Sequence, residues 1–308
     1  ASRSGGRAYC WRVAEIVVVG SLNLDTTARV GRLPRAGETV LGTGHHTDTG
    51  GKGANQAVAA ARLGRQVAMV GRVGSDDAGR RSVSVLDAEL LDTQVAVDDT
   101  APTGMAFITV DDLGENMIVV SPGANATVSI ADVERAADLI ANATVLLLQL
   151  EIPTEAVHHA AMLCRGTVIL NPAPAAELPT GLLEAVDILV PNRTELAVLT
   201  DAAPGDSADE ITRQLDLLPV ASGIVTLGAD GALVRSGGET ITVPAPRVDA
   251  VDATAAGDAF CAGFADAIAA GATPVEAARW AVRVGAVTAT RRGAQASLPN
   301  RTEVETLT

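Results

Sequence analysis

The chain has 308 residues, enough to bury a large core as one α/β domain with a small appendage or as two modest domains. Its formal net charge of −14 argues against nucleic acid or an anionic membrane as partner, so an anionic nucleotide would need local amides, a metal and a few cations. Apolar residues make up 47% and aromatics only 2%, so the core must be built from Ala, Val, Leu and Ile. Cys10, Cys164 and Cys261 are too widely spaced for a disulfide framework or a zinc site and point to a reducing cytoplasm. No run approaches the roughly 18 apolar residues of a membrane span.

Residues 1–14 read as a disordered extension, because Ala1 to Arg12 is rich in Gly, Ser and Arg and lacks the apolar stretch of a signal peptide. Residues 15–308 remain for the α/β domain. Glu15–Gly20 is a short apolar run ending in Gly, the form of a buried parallel strand. Asn23 and Asp25 follow it, where open α/β sheets place their ligand sites. Two apart on an extended segment, they face the same side, to hold neighbouring hydroxyls of a sugar or simply to form an Asx turn. Thr26 to Thr49 reads as short extended stretches, and the adjacent His45 and His46 point to opposite faces and cannot chelate one metal.

Gly50-Gly51-Lys52-Gly53-Ala54-Asn55-Gln56 precedes an Ala-rich helix expected over Gly53–Leu63. Its glycines would let the backbone approach a ligand, while Lys52 and Asn55 offer donors; the alternative is a turn that merely starts the helix. It lacks the spacing of a Walker A loop. Further strands are expected at 67–70, 145–150, 167–170, 188–190 and 223–227, and helices at 129–141, 154–164 and 208–217. That alternation implies βαβ units and a mostly parallel sheet covered on both faces. Thr103 to Val120 breaks the rhythm as a hairpin, 105–110 and 116–120. It would pair with the earlier extended segment into a discontinuous β lid, about 24–48 and 103–121.

Glu151 ends the apolar strand 145–150, and a carboxylate at such an edge is costly without a polar partner. Asn192 and Glu195 follow the 188–190 strand at a spacing that suits hydrated magnesium or an ordinary helix cap. Thr226-Leu227-Gly228-Ala229-Asp230-Gly231 is a hairpin turn or the lining of a nucleotide pocket.

Asp252-Ala253-Thr254-Ala255-Ala256-Gly257-Asp258 places small residues before a helix expected over Ala259–Ala270. Such a turn binds an anion, most often phosphate. A carboxylate beside a phosphate is repelled unless it has a task, and the natural task for Asp258 is to take the proton of an attacking hydroxyl. The segment thus suggests phosphoryl transfer to an alcohol. Cys261 reads as a small core residue, and Thr290–Gln295 as a basic surface turn or a loop whose carbonyls hold a monovalent cation.

Together these segments resemble the ribokinase family of sugar and nucleoside kinases from about Ile16 to Pro299. The resemblance rests on Asp252–Asp258, on Gly50–Asn55 with its continuation Gln56–Ala60, on Asn171-Pro172-Ala173-Pro174 and on Gly293-Ala294-Gln295. It implies a Rossmann-like three-layer α/β core with a β lid that also clasps a homodimer. The implied activity is ATP-dependent phosphorylation of D-ribose at O5, with Mg2+ and an activating K+ and no nucleic-acid or membrane partner. Residue by residue, it implies sugar contacts from Asn23, Asp25, Gly51, Lys52, Gly53, Asn55 and Glu151. Asp258 matches the base, with the amides of Ala255, Ala256 and Gly257 as an anion hole. Asn192, Thr226, Gly228, Gly231, Gly257 and Val282 match ATP positions, and Asn192 with Glu195 a magnesium motif. Asp252, Thr254, Thr288, Arg291, Gly293 and Ser297 match the potassium site, mostly through carbonyls. Ala253 stands where the family usually has Thr, Ala255 where Gly is commoner, and Val282 where a more polar residue is frequent. The alternatives are a kinase for another sugar or a nucleoside, or a non-catalytic sugar- or nucleotide-binding regulator; scarce aromatics weigh against a nucleoside acceptor.

Overall fold

The computed structural model describes residues 14–307, so the expected extension lies, but for Ala14, outside the described residues. The chain begins β1 (Ile16–Val19), β2 (Asn23–Val30), β3 (Gly42–Gly50), α1 (Lys52–Arg62), β4 (Val67–Gly74), α2 (Asp77–Ala88) and β5 (Asp92–Asp98). It continues through β6 (Gly104–Val110), β7 (Asn116–Ser121), α3 (Ile130–Arg135), α4 (Ala137–Asn142), β8 (Val145–Leu148), α5 (Thr154–Leu163), β9 (Thr167–Leu170) and β10 (Ile188–Leu189). It ends with α6 (Arg193–Leu199), α7 (Ala208–Leu215), β11 (Ser222–Thr226), β12 (Ala232–Ser236), β13 (Glu239–Val243), α8 (Ala256–Ala269), α9 (Pro274–Ala289) and α10 (Arg301–Glu305).

The larger sheet has the order β13-β12-β11-β10-β9-β8-β1-β4-β5. Its pairings are parallel from β5 to β11, and only the β11–β12 and β12–β13 pairings are antiparallel, so β12 alone runs against the rest. The fold class is therefore the expected mixed α/β. Side chains alternate across β1: Ile16 and Val18 pack with α1, α8 and α9, while Val17 and Val19 pack with α3, α4 and α5. All four are fully buried, as a sheet covered on both faces requires. With few aromatics available, helices approach through small residues; a Cβ on Gly263 of α8 would lie 2.7 Å from Val284 of α9.

The chain leaves β1 toward β4 and β5 on one side, then returns to β8 on the other. That reversal opens a crevice at the carboxyl ends of β1 and β8, where open α/β sheets bind ligands. The second sheet, ordered β3-β2-β6-β7, springs from the same place, since β2 starts just after β1 ends. Asn23 at its base pairs with Gly50 of β3 and Gly104 of β6.

The structure departs from the sequence expectation in three places. The single helix expected over 129–141 is two, broken at Ala136 (φ −107°, ψ 14°), whose N–H closes on Val133 one residue short of a helical bond. The break lets α4 bury Ile140 completely. β8 stops at Leu148, which leaves Glu151 in the following loop. The glycines at the start of α1 approach the backbone that links β1 to β2, not open space. A Cβ on Gly53 would lie 2.6 Å from the Ser21 nitrogen, and one on Gly51 (φ +89°) 2.8 Å from the Asn23 nitrogen. Gly53→Ala is therefore expected to cost about 1–3 kcal/mol through overpacking, read as a Tm several degrees lower; an unchanged Tm would refute this close packing.

Candidate active site

The loops after β9 and β10 and the end of β11 converge with the first turns of α1 and α8 on a cleft of about 210 Å³. Its lining includes Lys52, Asn171, Asn192, Glu195, Gly257 and Asp258. Asp258 lies in the first turn of α8, is 7% exposed, and is met on both carboxylate oxygens from α1. Asn55 Nδ2 donates to Oδ2 at 2.9 Å, and Gln56 Nε2 donates to Oδ1 at 3.1 Å.

At the other end of the site, Glu151 accepts from the Ser21 hydroxyl at 2.5 Å and from the Lys52 amide at 3.0 Å. Asn23 accepts from Asn125 Nδ2 at 2.7 Å. Asn125 is itself pinned to both backbone groups of Leu22, so the Asn23 amino group is turned away as a donor. Among the described residues, the buried acceptors without a partner include Asp25 Oδ1 and Asn55 Oδ1 at the site, Gln149 Oε1 behind it and Gln214 Oε1 away from it. Buried acceptors without donors are rare, and a hydroxyl-rich ligand is what would complete the two at the site.

The electrostatics agree. Burial pushes the Asp25 carboxyl up to about 7, and the carboxylates of Glu151, Asp258 and Asp48 add to the effect. Burial also raises Glu195, against the Asn192 amide and Lys52, which lower it. For Lys52 burial opposes the charge, but Asp258, Glu151 and Glu195 outweigh it and raise the ammonium above its ordinary value. Burial pushes the Cys261 thiol well up, as for an inert core residue.

The turn before α8 leaves backbone amides free at the start of the helix. Ala255 adopts φ +58°, ψ 4°, a left-handed conformation that costs a non-glycine about 1–2 kcal/mol. Among the described residues the N–H groups of Ala255 and Gly257 meet no acceptor, whereas that of Ala256 donates to Ala253 O at 3.1 Å. The expected three-amide hole thus has two free amides in this geometry, because the Ala256 N–H closes the turn. Asn192 and Glu195 form a reciprocal cap, Glu195 N to Asn192 Oδ1 and Asn192 N to Glu195 Oε2, both at 2.8 Å. Only one Glu195 oxygen is committed to the cap.

Asp252 ties the loop before α8 to the loop after α9, accepting from Thr254 N at 2.9 Å and from Gly293 N at 3.0 Å. The Thr288 hydroxyl is turned to Val284 O, the Ser297 hydroxyl to Ala294 O, and Arg291 pairs with Glu303. Any cation contact from these three would come through backbone. Thr226 lines the cleft, Gly228 and Gly231 lie in the turn that closes the β11–β12 hairpin, and Val282 is a core residue of α9, 6% exposed.

A family model described as pfkB family carbohydrate kinase matches residues 13–301. The chain belongs to the pfkB family of carbohydrate kinases. It is 38% identical to the ribokinase of Haemophilus influenzae, covering 94% of this chain and 96% of that protein. It is 39% identical to the ribokinase of Bacillus subtilis, with 95% and 98% covered. The solved structure of Arabidopsis thaliana ribokinase complexed with ribose and ATP superposes with a TM-score of 0.86 at 33% identity, covering 96% of this chain and 98% of that one.

The span shared with the family takes in every residue of the cleft. Ser21, Asn125 and Gln149 belong to the site's framework but were not read from the sequence. Asn125 bonds Leu22 from 103 positions away, and no local pattern announces such a contact.

Asp25 makes the fold pH-sensitive. Its folded pKa is raised, so its contribution to stability is full below about pH 4, the unfolded carboxylate value, and is lost as pH rises through about 7. In the ligand-free protein Asp25→Asn is expected to raise Tm at pH 8 and to flatten the decline between those two values. A lower Tm at pH 8 with an unchanged slope would contradict it.

Proposed function

We propose that the chain is an ATP-dependent ribokinase, transferring the γ-phosphoryl group of ATP to O5 of D-ribose to give D-ribose 5-phosphate and ADP. The observation that carries the reading is the pair of unpartnered buried acceptors, Asp25 Oδ1 and Asn55 Oδ1, beside a carboxylate at an anion-binding helix start. Near-full-length relatedness to ribokinases supports the choice of sugar.

In this reading Asn23 donates to, and Asp25, Asn55 and Glu151 accept from, the sugar hydroxyls. Gly51, Lys52 and Gly53 hold the loop against the base of the small sheet, and the Lys52 ammonium balances the surrounding carboxylates. Asp258 takes the O5 proton as the new O–P bond forms and the bond to the β-phosphate oxygen breaks. The free amides of Ala255 and Gly257 stabilise charge on the transferring group. ATP lies along Asn192, Thr226 and the following turn.

The donor set fits magnesium. Glu195 lines the cleft with only one oxygen committed to the cap, and a magnesium ion keeps several waters and takes one or two carboxylates beside phosphates. Glu195 and Asn192 would hold it through water, and bound there it neutralises phosphate charge. The loops joined by Asp252 would offer carbonyls to potassium. The small sheet closes over the sugar and excludes water. Its exposed apolar strand, with Met117, Ile118 and Val119 at 51%, 55% and 65% exposure, supports a homodimer through this sheet. Ile118→Asp is then expected to yield monomers in sedimentation where the parent is dimeric; a monomeric parent would remove the dimer. Among the described residues no helix is long and apolar enough to cross a membrane, and a cytoplasmic location suits the free Cys164 and Cys261.

ADP release with magnesium and ATP, across a panel of sugars and nucleosides with and without potassium, tests the reading. Ribose-dependent release that rises with potassium is expected. Release with another acceptor alone would overturn the sugar, and no release with any acceptor would overturn the enzyme.

A further inference from the structure

Behind Asp258 lies a row of buried side-chain amides that the reaction as described does not use. Asn171, at the end of β9, donates Nδ2 to Val190 O at 2.9 Å. A backbone carbonyl can only accept, so this bond fixes which way the Asn171 amide points. Its Oδ1 must then face Gln56, whose Nε2 donates to it at 3.3 Å. The same Nε2 donates to Asp258 Oδ1 at 3.1 Å, which leaves Gln56 Oε1 on the far side, where Gln149 Nε2 donates to it at 2.5 Å. Gln56 and Gln149 are fully buried and Asn171 is 8% exposed. One carbonyl on the β10 side thus sets the polarity of the whole row, and Gln56 cannot rotate its donor away from Asp258 without stranding its neighbours. Gln149 is in turn wedged against Gly20, where a Cβ would fall 2.0 Å from its Oε1.

We propose that Gln56 is a positioning residue for the transfer: held from behind by Gln149 and Asn171, it fixes the carboxylate of Asp258 in the orientation from which that carboxylate meets the attacking hydroxyl. Asn55 holds the other oxygen but carries an acceptor toward the sugar, so ligand binding can disturb it. Gln56 has no free group and touches no ligand, which makes it the constant partner. Asn171 also lines the cleft, so the row links the wall shared with Asn192 and Glu195 to the base. The inference rests on Asp258 being that base.

The test compares Gln56→Met, which keeps the volume and removes the donor, with Asp258→Asn in the intact protein. Loss of one hydrogen bond to a charged group is expected to lower kcat about ten- to hundredfold. Ribose affinity by calorimetry and KM for ribose should stay within about threefold, because no sugar contact is removed. A kcat within about twofold of the parent, with Asp258→Asn inactive, overturns the positioning role and leaves the base standing. Full turnover in Asp258→Asn overturns both. A fall of kcat, ribose affinity and Tm together marks a merely structural residue and also overturns it. If Gln56→Met does not fold, Gln149→Met decides, since it frees the same amide from behind. A several-fold loss of kcat at unchanged ribose affinity supports the role, and unchanged kcat refutes it.

Discussion

A buried carboxylate on an apolar helix is tenable only when donors meet its oxygens, and Asp258 is met on both by α1. That requirement ties the two ends of the chain together. Asn55 and Gln56 reach Asp258 across more than 200 positions, and α1 and α8 come close enough because both helices are made largely of Ala and Gly. The same approach brings Lys52, at the start of α1, to the mouth of the crevice between β1 and β8. The poverty in aromatics that looks like a mere compositional oddity is thus part of how the site is assembled.

The arrangement carries a cost that the fold absorbs elsewhere. Asp25, Glu151, Glu195 and Asp258 crowd the carboxyl edge of the sheet near Lys52, and burial there, reinforced by neighbouring carboxylates, raises Asp25 and Glu195. Ala255 is held in a conformation that L-residues avoid. Away from the site, packing is dense, with both faces of β1 fully buried. At this edge a strained Ala255, the crowded carboxylates and the unpartnered Asp25 and Asn55 oxygens occur together, the combination expected of a binding site.

Much of this was legible in the sequence. Short apolar runs located the parallel strands because a sheet covered on both faces needs nothing else, and the small residues of Asp252–Asp258 announced the tight turn into α8. The helix break at Ala136 was not legible, since Ala favours helix and the break follows from how α4 meets the sheet. The glycines around Lys52 were read as letting the backbone approach a ligand or as a turn that starts the helix, and the close neighbours of Gly53 and Gly51 are the backbone at Ser21 and Asn23. Sequence spacing shows that a glycine is needed, not which neighbour presses on it. Gln149 and Asn125 stayed invisible because their roles depend wholly on long-range contact.

The central claim is that this site presents O5 of ribose, and no other hydroxyl, to ATP. Phosphorus NMR of the product formed from ribose and ATP tests it most directly. A phosphoryl group on O5 couples to the pair of protons on C5 and gives a triplet, which is the predicted result. A doublet, from coupling to a single proton, would place the phosphate on O1, O2 or O3 and contradict the geometry assigned to Asp258.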